Sequence, residues 1–260
     1  MHTVLRRRGP RDWWNTVALG VLAGVAFLMI WLNACSSVSP DAAKANKAKA
    51  AALKTAVQAA TPHPASATAT TEESVPASLA NAGEYGENVY DYAKANDWKN
   101  ADVKLAALKL SVKQARADVK NNSAAIDHLD ENVAALDRAV TAKDTQATMR
   151  EANQVTLDVA NMTTAYKLSV PVGVTRLDYY GRELEVWAQA KDENKLKATA
   201  RETRREWDAL RPSIEAKSAT EAKRFDALVA QVEGARMPAD YARVATPVLD
   251  EVDNLEKLFP

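Results

Sequence analysis

Histidine, the side chain most used for proton transfer near neutral pH, occurs only at His2, His63 and His128 in this 260-residue chain. Since His2 and His63 fall in segments that read as leader and linker, His128 is the one imidazole left to the folded part. A histidine-rich zinc site is thereby excluded, and a di-iron bundle lacks the glutamate three residues before His128 that it needs. A serine or cysteine nucleophile would also need His128 as its base, and no neighbouring motif supplies one. Between Asp127 and Leu129, near a helix start, His128 reads as a surface histidine beside acids.

The segment that could do most chemistry is Arg176-Leu177-Asp178-Tyr179-Tyr180-Gly181-Arg182-Glu183-Leu184. On a helix, Asp178 pairs with Arg182 and Tyr179 with Glu183, each four residues apart, around a glycine that admits close approach to the backbone. A binding site here would set Arg176 or Arg182 against a carboxylate or phosphate, with Tyr179 as a hydrogen-bonding wall. The candidate ligand-binding residues are therefore Arg176, Asp178, Tyr179, Arg182 and Glu183. The structural alternative puts Tyr180 and Leu184 in the core, makes Gly181 a close-packing position and leaves the charges as exposed ion pairs. Two acidic groups, Asp127, Asp130 and Glu131, and Asp250, Glu251 and Asp253, contain oxygen ligands for a hard cation. Helix spacing points neighbours to different faces, so they read as solvated acidic surfaces, and no metal site or cofactor is expected.

These residues must be positioned by helices, because every periodic signal is helical. Trp98, Ala101, Leu105, Leu108, Val112, Ala115 and Val119 recur in steps of three and four, as do Ile126, Leu129, Val133, Leu136 and Val140. The second half repeats the pattern with Leu177, Tyr180, Leu184 and Trp187, then Leu196, Ala200, Thr203, Trp207 and Leu210. Phe225, Leu228, Val232 and Ala235 follow, then Tyr241, Val248, Val252, Leu255 and Phe259. Trp98, Trp187 and Trp207 fit these stripes as core residues.

Asp97, Asp144, Asp192 and Asp240 are spaced by 47, 48 and 48 residues, each after a basic residue: Lys94, Lys143, Lys191 and Arg236. Basic side chains suit a helix C-terminus and aspartate suits the next N-terminus, so each aspartate marks a chain reversal. The apolar phase also slips by about two positions after Val140 and again after Trp187, a turn of roughly 200° that a continuous helix would send to solvent. The expected fold is all-α: repeated antiparallel α-hairpins, about eight helices, as two four-helix-bundle-like halves or one helical array. The halves are 77–168 and 173–260, separated by Ser169-Val170-Pro171-Val172-Gly173. Asn121-Asn122-Ser123 and Arg211-Pro212-Ser213 are the expected inter-hairpin loops, and Thr246-Pro247 before Asp250 and Glu251 reads as a fresh start that would break the last helix.

The N-terminal part carries a different signal. Arg6, Arg7, Arg8 and Arg11 precede an apolar run from Val17 to Leu32, which ends in Leu32-Asn33-Ala34-Cys35, with the chain's one cysteine. This resembles a bacterial lipoprotein signal, whose lipobox has a leucine three places before the cysteine and a small residue just before it. The resemblance implies a signal over residues 1–35 and lipidation of Cys35. An uncleaved anchor over Trp13 to Leu32 is the competing reading, and both send the rest of the chain outside the cytoplasmic membrane. Ser36, rather than aspartate, follows the cysteine, which in the lipoprotein families this resembles permits forwarding to the outer membrane of a Gram-negative cell. Residues 36–76, rich in Ala, Lys, Thr, Ser and Pro, read as a flexible tether with a reach of about 35 Å.

From Ala77 onward the chain holds 26 Lys plus Arg against 30 Asp plus Glu, a net charge of −4 that disfavours nucleic-acid and anionic-lipid surfaces. The segment from Ala152 to Trp187 is similar to one in exported helical bacterial proteins of uncharacterised families, which implies no activity. Tyr92-Ala93-Lys94-Ala95-Asn96-Asp97-Trp98 resembles the turn of tetratricopeptide repeats, but the 48-residue spacing departs from that family's period. The expectation is a non-catalytic, membrane-tethered protein of the bacterial cell envelope, facing the periplasm or exterior. It would bind or organise another envelope component; the alternative is a small-ligand or metal-binding bundle serving a transporter or sensor. Nothing in the sequence sets an oligomeric state.

Overall fold

The computed structural model describes residues 74–119 and 123–259. The leader, Cys35, the tether up to residue 73 and the Asn121-Asn122 part of one expected loop lie outside the described residues. The structure is all-helical, with eight helices described: α1 (Ala77–Lys94), α2 (Trp98–Asp118), α3 (Ser123–Thr141), α4 (Thr145–Thr163), α5 (Val172–Ala190), α6 (Glu193–Lys217), α7 (Ala219–Gly234) and α8 (Pro238–Glu256). Among the described residues the one β-type pairing is an isolated bridge between Ser74 and Lys167.

Three hairpin turns share one geometry. At each, the residue before the aspartate takes a left-handed backbone: Asn96 (φ 57°), Lys143 (φ 51°) and Lys191 (φ 55°). The amide of the following aspartate then reaches back to a carbonyl of the preceding helix, Asp97 to Tyr92 at 2.8 Å, Asp144 to Ala139 at 3.1 Å and Asp192 to Trp187 at 3.0 Å. Each aspartate side chain also accepts from the amide three residues on: Asn100 at 3.2 Å, Ala147 at 3.0 Å and Lys195 at 3.0 Å. Asp240 is different. It lies in the first turn of α8, after Pro238, and its carboxylate accepts from the amides of Arg236 and Met237.

Two expected breaks do not occur. α6 runs through Pro212 to Lys217, so Arg211-Pro212-Ser213 is helix; the chain turns instead at Ser218, which caps both α6 and α7. α8 likewise continues through Pro247. Both prolines are exposed, as are Asp208 and Arg243 one turn earlier, so each carbonyl that loses a backbone donor lies on the solvent face. Meanwhile the buried stripes carry on past them, through Trp207, Leu210 and Ile214, and through Val244, Val248 and Val252.

The stripes close two rings of four helices. α1 packs on α2, α2 on α3, α3 on α4 and α4 on α1; α5, α6, α7 and α8 repeat the cycle, with α6 also touching α8. Each ring has its own core, one around Leu79, Leu105, Leu129 and Met149, the other around Leu177, Trp207, Phe225 and Val248. α4 packs on α5 and joins them. Because α5 lies against both bundles, Leu177 and Leu184 belong to the second core while Val186 belongs to the first, and Trp187 touches both.

Candidate functional site

A helix advances about 100° per residue, so Asp178, Arg182 and Glu185 share one face of α5, roughly a third of a turn from the Leu177 and Leu184 stripe. On an ordinary bundle that face would meet water. Here it meets α1, and Asp178, Arg182 and Glu185 are 2%, 3% and 9% exposed.

Arg182 is the centre of this seam. Its Nε donates to Asp178 Oδ2 at 2.8 Å, its other nitrogens lie 3.4 Å from Asp91 and 3.6 Å from Glu87, and its guanidinium sits 4.7 Å from the Tyr90 ring centroid. Burial alone would lower its pKa, but Asp178, Asp91 and Glu87 overcome that and hold it well above the ordinary arginine value. Next to it, Glu185 accepts from Tyr90 Oη at 2.9 Å and from Lys94 Nζ at 2.6 Å. Burial, reinforced by Glu185, pushes the Tyr90 phenol well up, so it remains a donor.

Tyr179 and Glu183 turn to α4 instead. Asn153 Nδ2 donates to the Tyr179 carbonyl at 3.1 Å and to Glu183 Oε1 at 3.2 Å, and Trp187 Nε1 donates to Glu183 Oε2 at 2.5 Å. Burial raises the pKa of Glu183 against these bonds and also raises that of Tyr179, whose ring meets Tyr180 edge-on at 5.2 Å. Arg176, half-buried, reaches Asn161 at 3.0 Å and Glu206 at 3.8 Å. Gly181 faces the opposite side, where a Cβ would stand 2.7 Å from Leu249 Cδ2.

The five residues chosen from sequence are thus neighbours on one helix that point to different partners. Gly181 and Leu184 take the packing roles of the structural alternative, whereas the Asp178–Arg182 pair is buried, contrary to its exposed ion pairs. The seam also draws in residues the sequence reading missed: Glu87, Tyr90, Asp91 and Lys94 on α1, Asn153 on α4 and Glu185 on α5. A faint signal existed, since Glu87 and Asp91, and Tyr90 and Lys94, are each spaced by four, beside Gly83 and Gly86 on the same helix. At Gly86 a Cβ would come within 3.2 Å of Val155, which marks the close approach of α1 to α4.

Compared with protein-family models, curated proteins and solved structures, the chain matches none of them.

Beside the seam is a cavity of about 280 Å³ where α1, the end of α4 and the start of α5 meet. Glu87, whose carboxylate faces Arg182 on one side, lines it, with Val75, Val159, Ala160 and Val170 as apolar wall. Elsewhere, His128 is exposed and hydrogen-bonded to Asn132 at 2.8 Å. Of the acidic groups, Asp127 and Asp130 pair with Arg116, while Glu251 is buried against α7 and so is not the solvated acid expected of it. Among the described residues no three His, Cys, Asp or Glu side chains come together to hold a metal ion, and no helix is long and apolar enough to cross a membrane.

Proposed function

We propose that this chain is a lipid-tethered helical protein of the bacterial cell envelope that binds or organises another envelope component without covalent chemistry. One observation carries the reading: a buried group of charged and aromatic side chains lies between the bundles and ties α1 to α5, a structural use of groups that could otherwise serve catalysis. What remains for partners is the outer helical surface, including Val103 and Leu110, exposed by 59% and 58% on one face of α2. The tether and lipid on Cys35 would hold that surface at the membrane, facing the periplasm or exterior. Ser36, rather than aspartate, after Cys35 permits forwarding to the outer membrane in a Gram-negative cell.

The test is made in cells. Cys35→Ala should abolish incorporation of a palmitate analogue and leave the leader uncleaved, and a photo-crosslinker at Leu110 should trap a discrete envelope protein. A native chain found in the cytosol without an acyl group would overturn the reading. A small-ligand-binding bundle serving a transporter or sensor is the second reading, favoured by the cavity that opens beside Glu87.

A further inference from the structure

The cavity is small, amphipathic and asymmetric in charge. Its volume of about 280 Å³ lies just below the usual range for small-molecule pockets, about 300–1,000 Å³, so it suits a body of a few carbons. Val75, Val159, Ala160 and Val170 supply the apolar wall. The Thr163 hydroxyl, already donating to the Ala160 carbonyl at 2.8 Å, has acceptor capacity left. Glu87 is 12% exposed and forms the inner charged end, while Lys167 is exposed at the rim. Of the seam's charges Glu87 alone lines the cavity, and behind it the one guanidinium of Arg182 is shared among the carboxylates of Glu87, Asp91 and Asp178, so acids outnumber the cation at that end. An anion entering there would meet negative charge in a partly desolvated space, whereas a cation would be attracted and could donate to Glu87.

We infer that this cavity binds a small organic cation, an ammonium-bearing molecule with a short aliphatic body, its charge directed to Glu87 and its body against Val159 and Val170. The inference rests on the second reading above and adds the ligand's chemical class. A ligand that also carries a carboxylate would find Lys167 at the rim.

The test uses the full-length chain in phosphatidylcholine nanodiscs, with thermal unfolding followed by tryptophan fluorescence against n-butylamine, butyrate and 1-butanol. Butylamine should raise the unfolding midpoint saturably, Glu87→Gln should weaken its apparent affinity at least tenfold, and Thr175→Trp, which fills the cavity from its half-buried wall, should abolish the shift. Butyrate and butanol should give no comparable shift. Because Glu87 also faces Arg182, Glu87→Gln could unfold the seam; Thr175→Trp lies outside that ion-pair network and decides the matter alone. A butylamine shift that survives Thr175→Trp, or no shift at all, overturns the inference together with the ligand reading. A butyrate shift that Thr175→Trp removes overturns the cationic assignment and leaves the ligand reading standing.

Discussion

Glu251, on the buried side of α8, shows what one residue's surroundings do to its chemistry. Burial, with the Glu221 carboxyl beside it, pushes its pKa from 4.5 to about 7, while Asn254 donates to it at 3.0 Å. Glu221 moves the other way, lowered by its bond to Glu251 and by Arg224. A raised carboxyl holds its proton longer in the folded state than in the unfolded one. The stabilisation from Glu251 is therefore complete below about pH 4.5 and is lost as pH rises toward 7. Glu251→Gln, which keeps a donor for Glu221 but does not titrate, should flatten the fall in urea midpoint between pH 4.5 and pH 7. A fall of unchanged size would show that other groups cause it. Two glycines make a second contrast, because the same substitution should act with opposite sign. Gly181→Ala forces a methyl onto Leu249; overpacking of about 1–3 kcal/mol exceeds the roughly 1 kcal/mol gained in helix preference, for a net loss near 1 kcal/mol. Gly234→Ala ends α7 with nothing within 4 Å of the new carbon and should stabilise by about 0.5–1 kcal/mol, both read by urea denaturation.

At the level of helices and turns, the sequence was most legible where the signal is local. The stripes through Leu105 and Leu129 are buried as their spacing requires, and Asp97, Asp144 and Asp192 cap helices because the accepting oxygen and donating amide are three residues apart. The turns lack glycine and still form: the left-handed cost of Asn96, Lys143 and Lys191 is offset by the back-reaching amide and the aspartate cap. Lys143→Gly should accordingly stabilise the fold by up to about 1 kcal/mol, and Asp144→Ala should destabilise it by about 1 kcal/mol, measured by chemical denaturation. Equal effects in the same direction would refute this account of the turn. Pro212 and Pro247 misled because a proline's effect depends on which face it occupies, and only the packed helix reveals that both freed carbonyls lie toward water.

Across the whole molecule, the decisive fact is that α5 is shared. Its Arg182 face, which on a two-sided amphipathic helix would be solvated, is roofed by α1 from the other ring, so a surface ion pair becomes a buried one. Removing one partner strands the others, and Arg182→Met should cost about 3–5 kcal/mol. Adding Asp178→Asn to it should recover part of that loss, since it removes a stranded carboxylate. The same variant should split a single urea transition into two, as the bundles lose the seam that couples them. Retention of one sharp transition at wild-type stability would mean that α4–α5 packing alone holds them together.

Within the described residues, then, helix content, the approximate number of helices and three of the turns were written into local spacing, because caps and stripes act within a few residues. The sequence also singled out the Arg176–Glu183 segment as unusual. Which of its side chains face α1, α4 or α8, and which residues 90 positions away complete the seam, depended on how two rings share a helix. That is set by the summed packing of distant surfaces, and no local pattern encodes it.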